Sequence, residues 1–285
     1  IERATVVIRD GRIESVVAGG TPPADARVWD LAGCVVYAGL IEPYLAAGKP
    51  RPRGGEEEEA RDSLTARGVA FFGVPGQEKD PGAPGPGYEL AAIAPERRVA
   101  RGLTVEADRF EKLREIGFTA AHAVPDGGVL RGTGALILLA DDDPNRLILR
   151  ADVFQHASLD APREPEDDRP YPASLMGRIA AIRQAFFDAQ HHQAARAAEA
   201  RGVRGGPRVA HHPALEALAP ALRREQRVFF ETTSVLMVDQ AAHLARELGF
   251  EFVLLGSGQE WRRPEVVSAA GAPLAQALLV GRDGD

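Results

Sequence analysis

A chain of 285 residues, 45% hydrophobic, can bury a large core, enough for one sizeable domain or a barrel with an accessory layer. Its formal net charge of −7, with basic residues spread along the chain, leaves no footprint for nucleic acid or an anionic membrane, and no run approaches the roughly 18 apolar residues of a membrane span. The single cysteine, Cys34, excludes an internal disulfide and a cysteine-based zinc cluster, and its apolar run Cys34-Val35-Val36-Tyr37 predicts burial.

In chain order, Ala4–Arg9 and Arg12–Val17 flank Asp10-Gly11, a strong hairpin signal because both turn residues tolerate positive φ. Strands are expected next at Arg27–Leu31 and Cys34–Ile41. Residues 49–95 hold a Pro-Arg-Pro-Arg-Gly-Gly run, the acid run Glu56–Glu59 and a stretch built from Pro, Gly and Ala; they predict long surface loops. Leu103–Ile116 has a helical distribution of apolar residues, and Gly117 ends it before an extended Phe118–Val124. Leu136–Leu139 and Arg146–Phe154 read as a strand pair around the turn Asp141-Asp142-Asp143-Pro144-Asn145. The turn lacks the ligand spacing of an EF-hand loop.

Beyond it, helices are expected at Tyr171–Arg201, Pro213–Arg224, Val238–Leu248 and Pro264–Ala270, with strands at Val228–Glu231, Phe250–Leu255 and Leu274–Val280. This alternation predicts parallel βα units: an α/β fold, a partial or complete (β/α) TIM-type barrel with a small N-terminal β-sandwich layer. The division expected is 1–36 for the sandwich strands and 37–285 for the barrel. About five or six βα units and no returning C-terminal strands predict a fragment or one half of a longer protein. The sequence starts at Ile1 rather than Met, which leaves a removed signal peptide and the compartment open.

The segment Trp29–Gly48, WDLAGCVVYAGLIEPYLAAG, resembles the approach to the first barrel strand of the amidohydrolase superfamily, D-x-x-G-x-x-V-x-P-G-L-I-D-x-H-x-H. Asp30, Gly33, Val36, Gly39, Leu40, Ile41 and Glu42 keep its frame. Ile116–Gly134 is similar to a block of imidazolonepropionase-like members. Pro213–Leu218 and Asp239–Gly256 look like the elements around the fifth and sixth barrel strands. The resemblance implies a hydrolase acting on C–N bonds other than peptide bonds, with one or two divalent metals held by His-x-His after the first strand, a histidine each after the fifth and sixth, and an aspartate after the eighth. Zinc or another divalent metal is thus expected in ligand-complete relatives.

Here those positions are substituted. Tyr44 and Ala46 replace His-x-His, Glu231 or Thr232 falls at the fifth strand, and Gly256 or Ser257 at the sixth; the eighth-strand aspartate has no counterpart. Lys112 is the last lysine, so a carbamylated bridging lysine is excluded from residues 113–285. The expectation is no metal and no cofactor in this chain. It is read as the non-catalytic part of a larger assembly, with a second amidohydrolase-like chain or domain as partner and a small-molecule substrate in play.

Two other readings stand beside it. One is an active hydrolase of a cyclic amide or dipeptide-like substrate with an altered site drawn from Glu231, Ser257, His122 and His211. The other is a small-molecule binding module. Of seven histidines, His191-His192 is expected on an exposed helix face, His211-His212 at a helix start, and His122 near a strand end. His156 and His243 read as an ordinary strand-end residue and a helix residue. Gly127, Gly128, Gly132 and Gly134 match no nucleotide-binding loop and are expected to permit close backbone turns.

Overall fold

The computed structural model describes residues 1–46, 88, 90, 92–159, 172, 174–202 and 208–276. Most of the expected loop 49–95, and the last expected strand beyond residue 276, lie outside the described residues. The chain divides into two compact units, Ile1–Ala38 and Gly39–Asp285.

In the first unit, β1 (Ala4–Arg9) and β2 (Arg12–Ala18) pair antiparallel. The turn between them has φ of +52° at Asp10 and +72° at Gly11, the left-handed pair that a two-residue hairpin needs. Arg27–Leu31, expected as a strand, forms none, and of the expected Cys34–Ile41 only Leu40 and Ile41 are in a strand. Asp30 instead accepts from the backbone of Ala32 at 3.0 Å, and the Cys34 amide donates to Leu31 at 2.9 Å, closing a turn through Gly33. Cys34 is exposed, against the burial its apolar neighbours predict. Among the described residues this unit holds one two-stranded sheet, so the expected sandwich layer is represented by its hairpin alone.

The second unit opens with β3 (Leu40–Ala46), which runs parallel to β4 (Phe118–Val124). Helix α1 (Ala107–Glu115) precedes β4 and is shorter at its start than expected, because Glu106 has non-helical angles. β5 (Leu130–Thr133) and β6 (Ala135–Leu138) follow, separated by Gly134. The expected acidic hairpin turn is a one-turn helix, α2 (Pro144–Leu147). Asp143 caps it by accepting from Asn145 N at 2.8 Å, and β7 (Ile148–Arg150) returns beside β6.

β8 (Phe154–Ser158) leads to α3 (Leu175–Ala200), capped by the Ser174 hydroxyl. The expected helix at Pro213–Arg224 is two short ones, α4 (Pro213–Ala217) and α5 (Ala219–Leu222), interrupted just before Pro220, whose ring cannot continue a helical ladder. β9 (Arg227–Glu231), α6 (Val235–Leu248), β10 (Phe252–Leu255), α7 (Pro264–Ala270) and β11 (Leu274–Ala275) complete the series. Gly249 ends α6 in the left-handed conformation, φ +79°.

The described strands of this unit form two sheets, β11-β10-β9-β8-β5 and β3-β4-β6-β7. β8 through β11 are parallel, as expected of βα units. β5, β6 and β7 are antiparallel to their neighbours, and no closed barrel forms among the described residues. Alternation along the strands assigns their faces. Val228 and Phe230 of β9, with Ala157 of β8, pack into a core with Ile182 and Phe186 of α3 and Leu244 of α6. Ala121 and Ala123 of β4 join a second core with Phe110, Ile137 and Leu147. The residues between them, Phe229, His156 and His122, face away from both cores and meet one another.

Candidate functional site

His122 and His156 stand Nε2 to Nε2 at 3.4 Å, with ring centroids 5.0 Å apart. Phe154 lies edge-on to His122 at 5.2 Å, and Phe229 packs on both imidazoles at 5.6 and 5.2 Å. His122 Nδ1 is 3.2 Å from the Pro43 carbonyl oxygen. That oxygen only accepts, so Nδ1 carries the proton and Nε2 of the neutral ring accepts from His156 Nε2–H. The scheme leaves His156 Nδ1 a bare acceptor; it is buried and without a hydrogen-bond partner.

Burial lowers the His122 pKa to about 4, opposed by the Pro43 contact. His156 is driven well below the usual histidine range by burial, then by His122 and Arg131. Both rings are therefore neutral near pH 7.

Gly134, between β5 and β6, is what lets the two rings meet. A Cβ there would stand 2.4 Å from His122 Nε2, 2.8 Å from the Ala123 carbonyl and 2.9 Å from His156 Nε2.

Beyond the histidine pair lies a buried ion pair. Arg131 of β5 donates through Nη1 to Glu231 Oε1 at 2.5 Å and to the Tyr44 hydroxyl at 3.4 Å, and through Nε to the Gly128 carbonyl at 3.1 Å. The Arg131 and Glu231 side chains are each 13% exposed. Tyr44 also hydrogen-bonds Glu231, so hydroxyl, guanidinium and carboxylate form a closed triangle. Burial raises the Glu231 pKa, with Arg131 and Tyr44 opposing it; burial and Glu231 raise that of Tyr44, which keeps its proton. Burial works against the Arg131 charge, and Glu231 and Tyr44 outweigh it.

The other substituted positions are occupied by local bonds. The Ala46 carbonyl accepts from Arg109 at 3.0 Å, and Thr232 donates to the Leu255 carbonyl at 3.0 Å. Ser257 donates to Glu260 through its hydroxyl at 2.8 Å and its amide at 2.5 Å, and a Cβ on Gly256 would strike Gln276. His211 pairs with Glu216 at 2.9 Å, and His212 starts α4 by accepting from Leu215 N.

Among the described residues no hydrogen bond or ion pair joins any two of Glu231, Ser257, His122 and His211. His191 is exposed as expected, whereas His192 is buried, its ring nitrogen 3.5 Å from Glu216. Adjacent helix residues point about 100° apart, so His192 lies on the buried side of this 26-residue helix and His191 does not.

Sequence reasoning missed Arg131 and His156. A signal for Arg131 was present, since it is the lone charge in Val129-Leu130-Arg131-Gly132-Thr133, a run otherwise suited to burial. His156 had none: its importance comes from register, which sets it beside Phe229 of β9.

No sequence-family model matches the chain, and no curated protein matches it. In three dimensions it is similar to a crystal structure of an amidohydrolase from Thermotoga maritima, with a TM-score of 0.71 and 18% identity over 98% of this chain and 67% of that one. At that identity the likeness concerns the fold alone, which is α/β with mixed sheets. Among the described residues no group of three or more histidine, cysteine, aspartate or glutamate side chains is placed to hold a metal ion, and no helix is long and apolar enough to cross a membrane.

Proposed function

We propose that this chain is a metal-free, non-catalytic unit of the imidazolonepropionase-like amidohydrolases, a partial (β/α) barrel that packs against a ligand-complete amidohydrolase-like chain or domain and shapes access to its small-molecule substrate. The observation that carries this reading is the commitment of Tyr44 and Glu231 to Arg131. A divalent ion in this family needs free imidazole and carboxylate donors converging on one point. Here the carboxylate is held by a guanidinium, and the His122 nitrogens are held by Pro43 and His156. The donor set does not fit such an ion.

The test is elemental analysis of the purified chain after exposure to zinc and removal of the excess. The expected result is a trace amount, and about one tightly held zinc per chain would overturn the proposal. The reading as an altered hydrolase finds no support in the hydrogen bonding, since general acid–base work needs partners within hydrogen-bond reach and its four candidates lie in separate networks.

A further inference from the structure

We infer that Arg131 supplies from within the chain the positive charge that a bound divalent ion would supply at the same place, so that the vacated metal centre is a guanidinium centre. The inference rests on the proposed metal-free reading, which places Tyr44 and Glu231 at two former ligand positions. Those positions lie far apart in sequence and in different sheets, Tyr44 on β3 and Glu231 at the end of β9. One nitrogen, Arg131 Nη1, nevertheless contacts an oxygen from each.

Three further features fit a replaced cation. First, the carboxylate is buried and needs a counter-charge at close range, because an uncompensated buried charge is far costlier than a paired one. Second, the fork is anchored at its base by the Gly128 carbonyl, which fixes the guanidinium rather than leaving it to swing. Third, the positive charge lies close enough to add to burial and His122 in disfavouring protonation of His156. Lysine would carry the charge without the planar fork that reaches two oxygens and a carbonyl together.

Chemical rescue of the full-length chain tests this directly. In Arg131→Ala, methylguanidinium is expected to raise the melting temperature well above the shift given by methylammonium, while wild type responds equally to both. Zinc is expected to rescue neither. In parallel, Arg131→Met and Glu231→Gln are each expected to lower the urea midpoint, and Arg131→Met/Glu231→Gln to lose clearly less than the sum of the two.

If Arg131→Ala fails to fold, Arg131→Lys and the double variant carry the test, with the double variant more stable than Arg131→Met. Equal responses to the two cations, or strictly additive losses, would overturn the guanidinium centre and leave the metal-free reading standing. Stoichiometric zinc on wild type would overturn the metal-free reading itself.

Discussion

Gly134→Ala adds one methyl group at a crowded point between β5 and β6, against both imidazoles. The position is not among those with positive φ, so its glycine answers a packing need and not a backbone one. The new Cβ would meet His122 Nε2 at 2.4 Å, the Ala123 carbonyl at 2.8 Å and His156 Nε2 at 2.9 Å. An imidazole can tilt, but the Ala123 oxygen belongs to β4 and is fixed by its pairing with β6. Relief must therefore come from parting the histidines or shifting a strand. Overpacking of this kind costs about 1–3 kcal/mol, and losing the imidazole hydrogen bond adds about 1 kcal/mol, for an expected loss of roughly 2–4 kcal/mol. Urea unfolding followed by far-UV circular dichroism measures it. Gly102→Ala is the control, because nothing lies within 4 Å of its added Cβ and its φ is −121°. A Gly134→Ala midpoint indistinguishable from that of Gly102→Ala would refute the packing argument.

Phe229→Ala removes the ring that covers both imidazoles from a site 2% exposed, and is expected to cost about 3–5 kcal/mol in urea unfolding. A loss below about 1 kcal/mol would mean that the pocket collapses freely around the gap. Ser174→Ala deletes the hydroxyl that accepts from Gly177 N at 3.1 Å at the start of α3, with an expected cost of about 0.5–2 kcal/mol; Ser174→Asp is expected to preserve stability, and equal losses in the two would argue against a capping role. The histidine pair makes stability fall in mild acid. Its folded pKa values are depressed, so between the unfolded value near 6.5 and the His122 value of about 4 the unfolded chain binds more protons. The slope grows towards about 1.36 kcal/mol per pH unit as the unfolded histidine becomes protonated, so His122 alone removes about 1.5 kcal/mol between pH 6.5 and 5. Urea titrations at several pH values should show this slope and a shallower one in His122→Gln; identical slopes would place the acid sensitivity elsewhere.

Local chemistry made much of the fold legible. Asp10-Gly11 defined a hairpin, the near-continuous apolar run Phe118–Val124 defined a buried strand, and Pro264 with Gly271 bracketed a helix that forms over the expected Pro264–Ala270. Errors arose where a competing local bond won. Asp143 capped a helical turn inside the connection of the expected strand pair, and the carboxylate of Asp30 drew the chain away from an extended path. β6 and β7 form the strand pair expected around the acidic turn, but the antiparallel placement of β5 was hidden for another reason. Strand direction depends on which neighbours pair, and nothing in Leu130-Arg131-Gly132-Thr133 encodes that. The site followed the same division. Tyr44 and Glu231 stood out as departures from a known pattern, whereas Arg131 and His156 acquire meaning only when register carries them to their partners.

The departures at Tyr44 and Glu231 are easier to understand as one change than as two. A glutamate introduced alone at the end of β9 would bury a carboxylate with no counter-charge, a cost of several kcal/mol for a fold whose whole stability is of that order. A tyrosine introduced alone would bury a hydroxyl lacking an acceptor. With Arg131 between them each group answers another: the guanidinium neutralises the carboxylate, the carboxylate accepts from the hydroxyl, and the hydroxyl accepts from the guanidinium. The arrangement closes on itself, with both residues held to Arg131. On the proposed reading the scaffold and the charge balance of a hydrolase persist in this chain, and the chemistry belongs to the unit it packs against.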